Sequence, residues 1–230
     1  MFGITKYLEG LSHLFYPKLC AVCKTALIHQ EEVLCLSCEF DMPFTHFHKH
    51  PYNEAVSRLS GRFPFVQAAS LAYFHEEGML QQLIHQLKYQ QQLNIGRYLG
   101  KQLGKALLDA TWKVDAVVVI PLHKKKEALR RFNQSAVIGK EVGQQLGVPL
   151  IDKAIIRTKN TESQTLKNRQ ERLDNVKGAF LVNSNIDVRQ KHLLLLDDVL
   201  TTGATLESCA IELLKVEGVR LSIATVGIAM

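Results

Sequence analysis

One thirteen-residue run constrains the fold of this chain more than any other: Leu193-Leu194-Leu195-Leu196-Asp197-Asp198-Val199-Leu200-Thr201-Thr202-Gly203-Ala204-Thr205. Four consecutive leucines read as a strand buried on both faces. Two adjacent carboxylates, Asp197 and Asp198, stand where that strand would end. A turn bearing hydroxyls and a glycine follows. From Ala204 to Glu217 the apolar residues recur at helical spacing, with Leu206, Ala210, Leu213 and Leu214 on one face. Strand, tight turn and helix in that order belong to an open α/β sheet, whose ligands bind beyond the carboxyl ends of the strands. Neighbouring strand residues point to opposite sides, so the two carboxylates need not share one role. Thr201 and Thr202 supply hydroxyls, and Gly203 lets the backbone approach an anion closely. Carboxylates can accept hydrogen bonds from ribose hydroxyls, and a turn of N–H groups at a helix N-terminus can hold a phosphate. The plainer alternative is a junction whose acidic residues only cap the helix. The run lacks the Gly-Lys-Ser/Thr ending of a Walker A loop and the Gly-x-Gly-x-x-Gly of a Rossmann turn.

A second pattern sits near the N-terminus. Four of the five cysteines form Cys20-Ala-Val-Cys23 and Cys35-Leu-Ser-Cys38, with eleven residues between the pairs. Two such knuckles can close a tetrahedral site of four thiolates around Zn²⁺. Four protein ligands leave no open position, so the expected role is structural. A module this small has little core, and the metal should supply much of its folding energy. Cys209 falls in the helix after the turn and reads as a small core residue. His46, His48 and His50 alternate just after the module. In an extended segment they would share one side as a metal patch. Pro43 and Pro51 around them, with Phe44 and Phe47 interleaved, favour a linker.

The rest of the chain alternates strands and helices. Val66 to Phe74, Ala116 to Ile120, Pro149 to Ile156, Ala179 to Val182, Leu193 to Leu196 and Arg220 to Ile228 read as strands. Gly78 to Leu108 is helical with a break near Gln90 to Gly96, and Phe132 to Leu146 is a further helix. This order predicts a parallel sheet covered by helices on both faces. The expected domains are a four-cysteine module over 1–50, a linker over 51–65 and an α/β domain over 66–230.

Two polar segments lack an obvious structural need. Five of the eight residues from Lys124 to Arg131 are basic, in a segment that follows the strand at Ala116 to Ile120. It includes His123, Lys124, Arg130, Arg131, Asn133 and Gln134, and it could face the same crevice as the acidic pair to hold a diphosphate. The alternative is a solvated basic loop. The second segment runs from Arg157 through Gln164 to Arg172 and Asn175. Long polar loops are lids, binding loops or disordered segments, and a basic lid suits a phosphorylated ligand. The net charge of +6 fits either a phosphate-rich small molecule or a nucleic acid. No apolar run approaches the roughly 20 residues of a membrane helix. Lys6, Glu9, His13 and Lys18 interrupt the N-terminal segment, which lacks a signal-peptide centre, so a cytoplasmic location is expected.

The Asp197 to Thr205 run resembles the PRPP-binding motif of type I phosphoribosyltransferases. That resemblance gives Asp197 and Asp198 the ribose hydroxyls and makes Thr201, Thr202, Gly203, Ala204 and Thr205 the 5′-phosphate loop, with Val199 and Leu200 also counted among the PRPP-binding residues. Taken with Cys20, Cys23, Cys35 and Cys38, Leu87-Lys88-Tyr89, Pro121-Leu122-His123, Arg130 with Phe132-Asn133-Gln134, Arg157, Thr161, Gln164, Leu166, Arg172, Asn175 and Gly178-Ala179-Phe180, the chain resembles the ComF family of competence proteins. The resemblance implies a four-cysteine zinc module joined to a type I phosphoribosyltransferase fold. It also implies PRPP bound with Mg²⁺, and single-stranded DNA and the DNA-uptake machinery as partners in natural transformation. The family usually has glycine in Arg-Gly-Phe-Asn-Gln, where this chain has Arg131. Three roles follow as alternatives: an accessory protein of DNA uptake, which is favoured; an active transferase, with Asp197 or Asp198 as catalytic base; and a regulator that senses PRPP.

Overall fold

The computed structural model describes residues 17–28, 30–122, 124–158 and 179–230, with the side chains of 124–126 outside that description. Two compact units are present, one ending at Met42 and the other running from Pro43 to Met230.

In the smaller unit a hairpin turn carries the first cysteine pair. Leu19 bridges Ala26 antiparallel, and the Cys20 N–H donates to the Thr25 carbonyl at 2.8 Å. The second pair opens helix α1, Leu36–Phe40. Glu31 fixes the approach to that helix, accepting from the Leu36 N–H at 2.7 Å and the Ile28 N–H at 2.8 Å. Among its described residues the apolar interior includes Leu27, Val33, Leu34 and Met42.

The larger unit is an α/β fold. A short 3₁₀ helix, Phe47–Lys49, and helix α2, Glu54–Leu59, precede strand β1, Ala68–Phe74. Helices α3, Met79–Gln90, and α4, Leu93–Asp109, lead to β2, Ala116–Val119. Helices α5, Lys124–Arg130, and α6, Gln134–Leu146, follow. Strands β3, Ile155–Arg157, and β4, Phe180–Val182, pair antiparallel as a separate ribbon. The chain ends with β5, His192–Leu200, helix α7, Ala204–Leu214, and β6, Arg220–Ala229. The main sheet has the order β1-β6-β5-β2 with every pair parallel.

This order sets the layers. Crossovers between parallel strands are right-handed. The chain moves one way along the sheet from β1 to β2, and the opposite way from β5 to β6. Right-handed connections in opposite directions put α3 and α4 on one face and α7 on the other. α6 joins α4, because it leads from β2 outward to Leu150, which bridges Val117 in parallel. The crevice between β2 and β5 is therefore where the winding reverses.

Helix α4 and helix α6 approach closely because glycines line the contact. A Cβ on Gly100 would lie 2.6 Å from the Ile138 carbonyl oxygen and 2.8 Å from the Glu141 Cβ. One on Gly104 would lie 2.7 Å from the Gln145 Cβ. Across the sheet, Leu193 to Leu196 and Val117 to Val119 are fully enclosed, as parallel strands covered on both faces require.

Three expectations change in detail. Residues 43–65 fold with the larger unit rather than ending the cysteine module at 50 or linking it over 51–65, because Phe44 bridges Ala72 at the edge of β1 and α2 caps itself through Asn53. The expected strand over Pro149 to Ile156 is two short pieces, since a turn at Asp152 and Lys153 separates the Leu150 bridge from β3. The strand expected to end at Leu196 continues to Leu200, because β6 is long enough to keep pairing it, Leu200 against Ile228.

Gly100→Ala is expected to destabilise the larger unit by about 2 kcal/mol, since overpacking against a backbone carbonyl outweighs the better helix propensity of alanine. Urea denaturation of the two proteins measures it.

Candidate functional site

The site forms where β2 stops and β5 does not. Val119 pairs with Leu196, the last β2–β5 register pair. Asp197 and Asp198 come next, still paired to β6 on one side but beyond β2 on the other. In a doubly wound sheet this point is the ligand crevice.

The alternation of the strand sends the two carboxylates into different surroundings. Asp198 is buried and forms an ion pair with the Lys88 ammonium, from the last turn of α3. It also accepts from Gln134 Nε2 at 3.0 Å and from the Val199 N–H at 2.7 Å. Burial alone would raise its pKa; the Lys88 charge and these hydrogen bonds overcome burial and hold it below the ordinary carboxylate value. Asp197 is half-buried and, among the described residues, forms no ion pair of this kind. Its Oδ1 accepts from the Asp198 N–H at 2.9 Å and from Ser135 Oγ at 3.4 Å. Burial, then the neighbouring Asp198 charge, pushes it up to about 7. One carboxylate is thus fixed as an anion, and the other sits near its titration point at neutral pH.

The segment after β2 feeds this network. Gln134 opens α6, and its Oε1 accepts from Arg130 Nη1 at 3.0 Å. The Arg130 guanidinium lies 5.2 Å from the Tyr89 ring centre, a cation–π distance. Asn133 caps α6, accepting from the Ser135 N–H at 3.0 Å, and donates through Nδ2 to the Ile120 carbonyl at 3.0 Å. Arg131 has φ +63°, so the left-handed backbone that a glycine adopts easily is taken here by an arginine.

The turn from Thr201 to Gly203 connects β5 to α7. Gly203 has φ +78°, and a Cβ there would lie 3.0 Å from the Arg62 guanidinium and from Leu59. Only glycine meets both demands. The Ala204 N–H donates to Thr202 Oγ1 at 3.4 Å, and the first-turn N–H groups of α7 face out of the helix end. Asp197, Val199 and the residues from Leu200 to Leu206 line a small hollow at this turn.

The turn is held from outside by two arginines that the sequence reading left in a linker. Arg58 of α2 donates through Nη1 to the carbonyls of Thr201 at 3.1 Å and Ala229 at 2.7 Å, while pairing with Glu54. Arg62 donates to the Thr202 carbonyl and lies 3.5 Å from the Glu207 carboxylate. Their only sequence signal is basic residues on a short amphipathic stretch, which names no partner. Lys88 was visible only inside Leu87-Lys88-Tyr89 and was not assigned to the acidic pair.

Of the other candidates, Arg157 lies on β3 with its guanidinium 5.3 Å from the Phe180 ring centre. Burial lowers its pKa, opposed by the nearby Asp197 carboxylate. It therefore belongs to the electrostatic surroundings of Asp197. His123, Gln164 and Arg172 lie outside the described residues, as does the side chain of Lys124.

The sulfurs of Cys20, Cys23, Cys35 and Cys38 all lie within 4.8 Å of one another. A tetrahedral Zn²⁺ with thiolates at about 2.3 Å needs sulfurs roughly 3.8 Å apart, so the cluster fits a metal of that kind. The Cys35 N–H donates to the Cys20 Sγ at 3.4 Å. Among the described residues this is the one group of three or more His, Cys, Asp or Glu that converges in this way. His46, His48 and His50 do not, because residues 47–49 turn as a 3₁₀ helix instead of running extended. No described helix is long and apolar enough to cross a membrane.

Residues 133–229 match the family described as phosphoribosyl transferase domain. The DNA utilization protein YhgH of Escherichia coli (strain K12) is 29% identical over 202 residues, covering 86% of this chain and 84% of the relative. Competence protein F of Haemophilus influenzae is 32% identical over 143 residues, 60% of this chain and 62% of the relative. Competence protein ComFC of Bacillus subtilis is 33% identical over 94 residues, 41% of this chain and 36% of the relative. Two of these relatives carry competence-protein names, in line with the family that the sequence motifs resemble.

Lys88→Met is expected to destabilise the protein by about 3 kcal/mol near neutral pH, the cost of leaving a buried carboxylate without its cation. Because Asp198 is held low by Lys88, that contribution is present at neutral pH and lost as the carboxylate protonates. The deficit should therefore shrink only as pH falls through and below the ordinary carboxylate range, which urea denaturation at pH 7 and pH 3 would read.

Proposed function

We propose that this chain, a homologue of the ComF-type competence and DNA utilization proteins with a phosphoribosyl transferase domain, binds PRPP or a related phosphoribosyl ligand at the crevice between β2 and β5 and serves the handling of single-stranded DNA during natural transformation. One observation carries the ligand: two carboxylates of different charge state, beyond the end of β2, stand beside a glycine turn at the N-terminus of α7. Asp197 and Asp198 would take the ribose hydroxyls, and the N–H groups from Thr202 to Thr205 the 5′-phosphate. Arg130 and Lys88 supply the positive charge of the crevice, with the Gln134 amide between Arg130 and Asp198, where a diphosphate would lie.

The carboxylate of Asp197 and the threonine hydroxyls of the turn are the hard oxygen ligands that a cation such as Mg²⁺ would take here. When bound with the ligand, Mg²⁺ would offset the diphosphate charge. A nearby dication would also draw Asp197 toward its ionised form. The DNA role rests on homology to the competence proteins and on the net charge of +6. The cysteine cluster is assigned a structural Zn²⁺.

A second reading, an active transferase, is favoured by one feature. Asp197 titrates near 7, where a general base is most effective. If Asp197 abstracts a proton from an acceptor, pyrophosphate release should rise as pH increases through about 7, because only the ionised carboxylate accepts. Flat, background release across nucleobases, amines and DNA would remove this reading.

Asp197→Ala with Asp198→Ala is expected to abolish Mg²⁺-dependent PRPP binding in isothermal titration, with the fold retained by circular dichroism. Unchanged binding would overturn the ligand assignment. Titration with a single-stranded oligonucleotide should show affinity that falls steeply with salt; no such affinity removes direct DNA binding. Cys20→Ser is expected to release Zn²⁺ and unfold the smaller unit while the melting of the larger one persists.

A further inference from the structure

A second hollow lies at the β1 edge of the larger unit, two strands from β5, and the phosphoribosyl reading makes no use of it. It encloses about 250 Å³ between the segment after Pro43 and one face of α4. That is just below the range of roughly 300–1,000 Å³ for drug-sized sites, room for part of a ligand rather than the whole of one.

Its walls are of three kinds. Leu71 and Phe44 provide an apolar floor and side. His46 and His48 bring two imidazoles whose ring centres lie 6.1 Å apart and whose planes meet at 60°, and His46 stands 6.5 Å from the Phe44 ring. At the rim, Lys49 and Lys105 supply ammonium groups and Asp109 a single carboxylate.

The segment that presents these rings is rigid. Phe44 bridges Ala72. The Thr45 N–H donates to the Leu71 carbonyl at 3.0 Å, and the Phe47 N–H donates to Thr45 Oγ1 at 3.1 Å. His46 is held at φ +56°, a left-handed conformation that L-residues adopt at a cost. That conformation turns the chain back so that His46 and His48 both face the hollow.

Each wall calls for a different part of a ligand. A bare anion would need only the lysines. An apolar ring would need only the floor. A flat ring that stacks on imidazole, with an amino edge for Asp109 and a phosphate for Lys49 and Lys105, uses all three. We infer that this hollow binds a nucleotide unit, with the base among Phe44, His46 and His48 and the phosphate between Lys49 and Lys105. Burial, followed by the charges of Lys49 and His46, also holds His48 below the ordinary histidine pKa, consistent with a positive potential that an anion would relieve.

A free nucleotide and one unit of a single strand share this chemistry, and titration separates them. The probes are deoxyadenosine 5′-monophosphate, inorganic phosphate and a short single-stranded deoxyadenosine oligonucleotide, each titrated into the full chain at low salt. Lys49→Glu with Lys105→Glu is expected to weaken nucleotide or oligonucleotide binding at least about tenfold. His48→Ala is expected to weaken it about tenfold by loss of stacking. A charge-matched pair at the exposed Lys140 and Lys215, both changed to Glu, should leave it nearly unchanged. Binding of the mononucleotide identifies a free nucleotide as sufficient; binding of the oligonucleotide alone identifies a strand. The inference is overturned if neither probe binds, if the Lys49/Lys105 pair binds like wild type or like the Lys140/Lys215 pair, or if inorganic phosphate binds as well as the nucleotide. Both lysines are exposed, so their exchange should not unfold the protein, and a thermal melt checks this.

Discussion

Two carboxylates side by side at the end of a buried strand cannot both keep an ordinary charge without help. Lys88 provides it for one. Its ammonium makes Asp198 a stable anion, at the cost of fixing the end of α3 to the end of β5. Gln134 adds the start of α6 to the same carboxylate. The ion pair therefore joins three elements far apart in sequence. Both are desolvated, but Asp197, facing the other way, has no lysine partner among the described residues to offset it. The difference between two adjacent residues comes from strand alternation, which gives each a different helix layer to face.

The glycine turn depends on a second support. Backbone N–H groups at a helix end hold an anion only if the turn keeps its shape. Arg58 and Arg62 brace the carbonyl side of that turn while its N–H side faces the crevice. Arg58 also reaches the end of β6 through the Ala229 carbonyl. The short helix α2 thus locks β5, the turn and β6 together. The absence of a side chain at Gly203 is what lets Arg62 and Leu59 come so near.

Much of this was legible in the sequence because it is local. The leucine run, the turn and the apolar spacing of α7 each carry their own signal, and the paired knuckles carry the sulfur cluster. Gln134 meets Asp198, and Asn133 caps α6 and holds the Ile120 carbonyl, contacts that lie close in sequence to the end of β2. What escaped was long-range. Nothing in residues 51–65 announces that Arg58 will meet carbonyls more than a hundred positions away. Lys88 looks like any lysine at a helix C-terminus until β5 supplies its partner. The end of β5 was misplaced by four residues because its pairing with β6, not its own composition, determines where it stops. Alternating histidines suggested an extended segment, but a left-handed residue at His46 turned them into the wall of a different hollow.

We propose that the β5–α7 turn and the acidic pair together hold a phosphorylated ribose. A crystal structure of the chain grown with PRPP and Mg²⁺ tests it most directly. The account predicts the 5′-phosphate on the N–H groups from Thr202 to Thr205, with the ribose hydroxyls at Asp197 and Asp198. A phosphate bound elsewhere with this turn empty would contradict it.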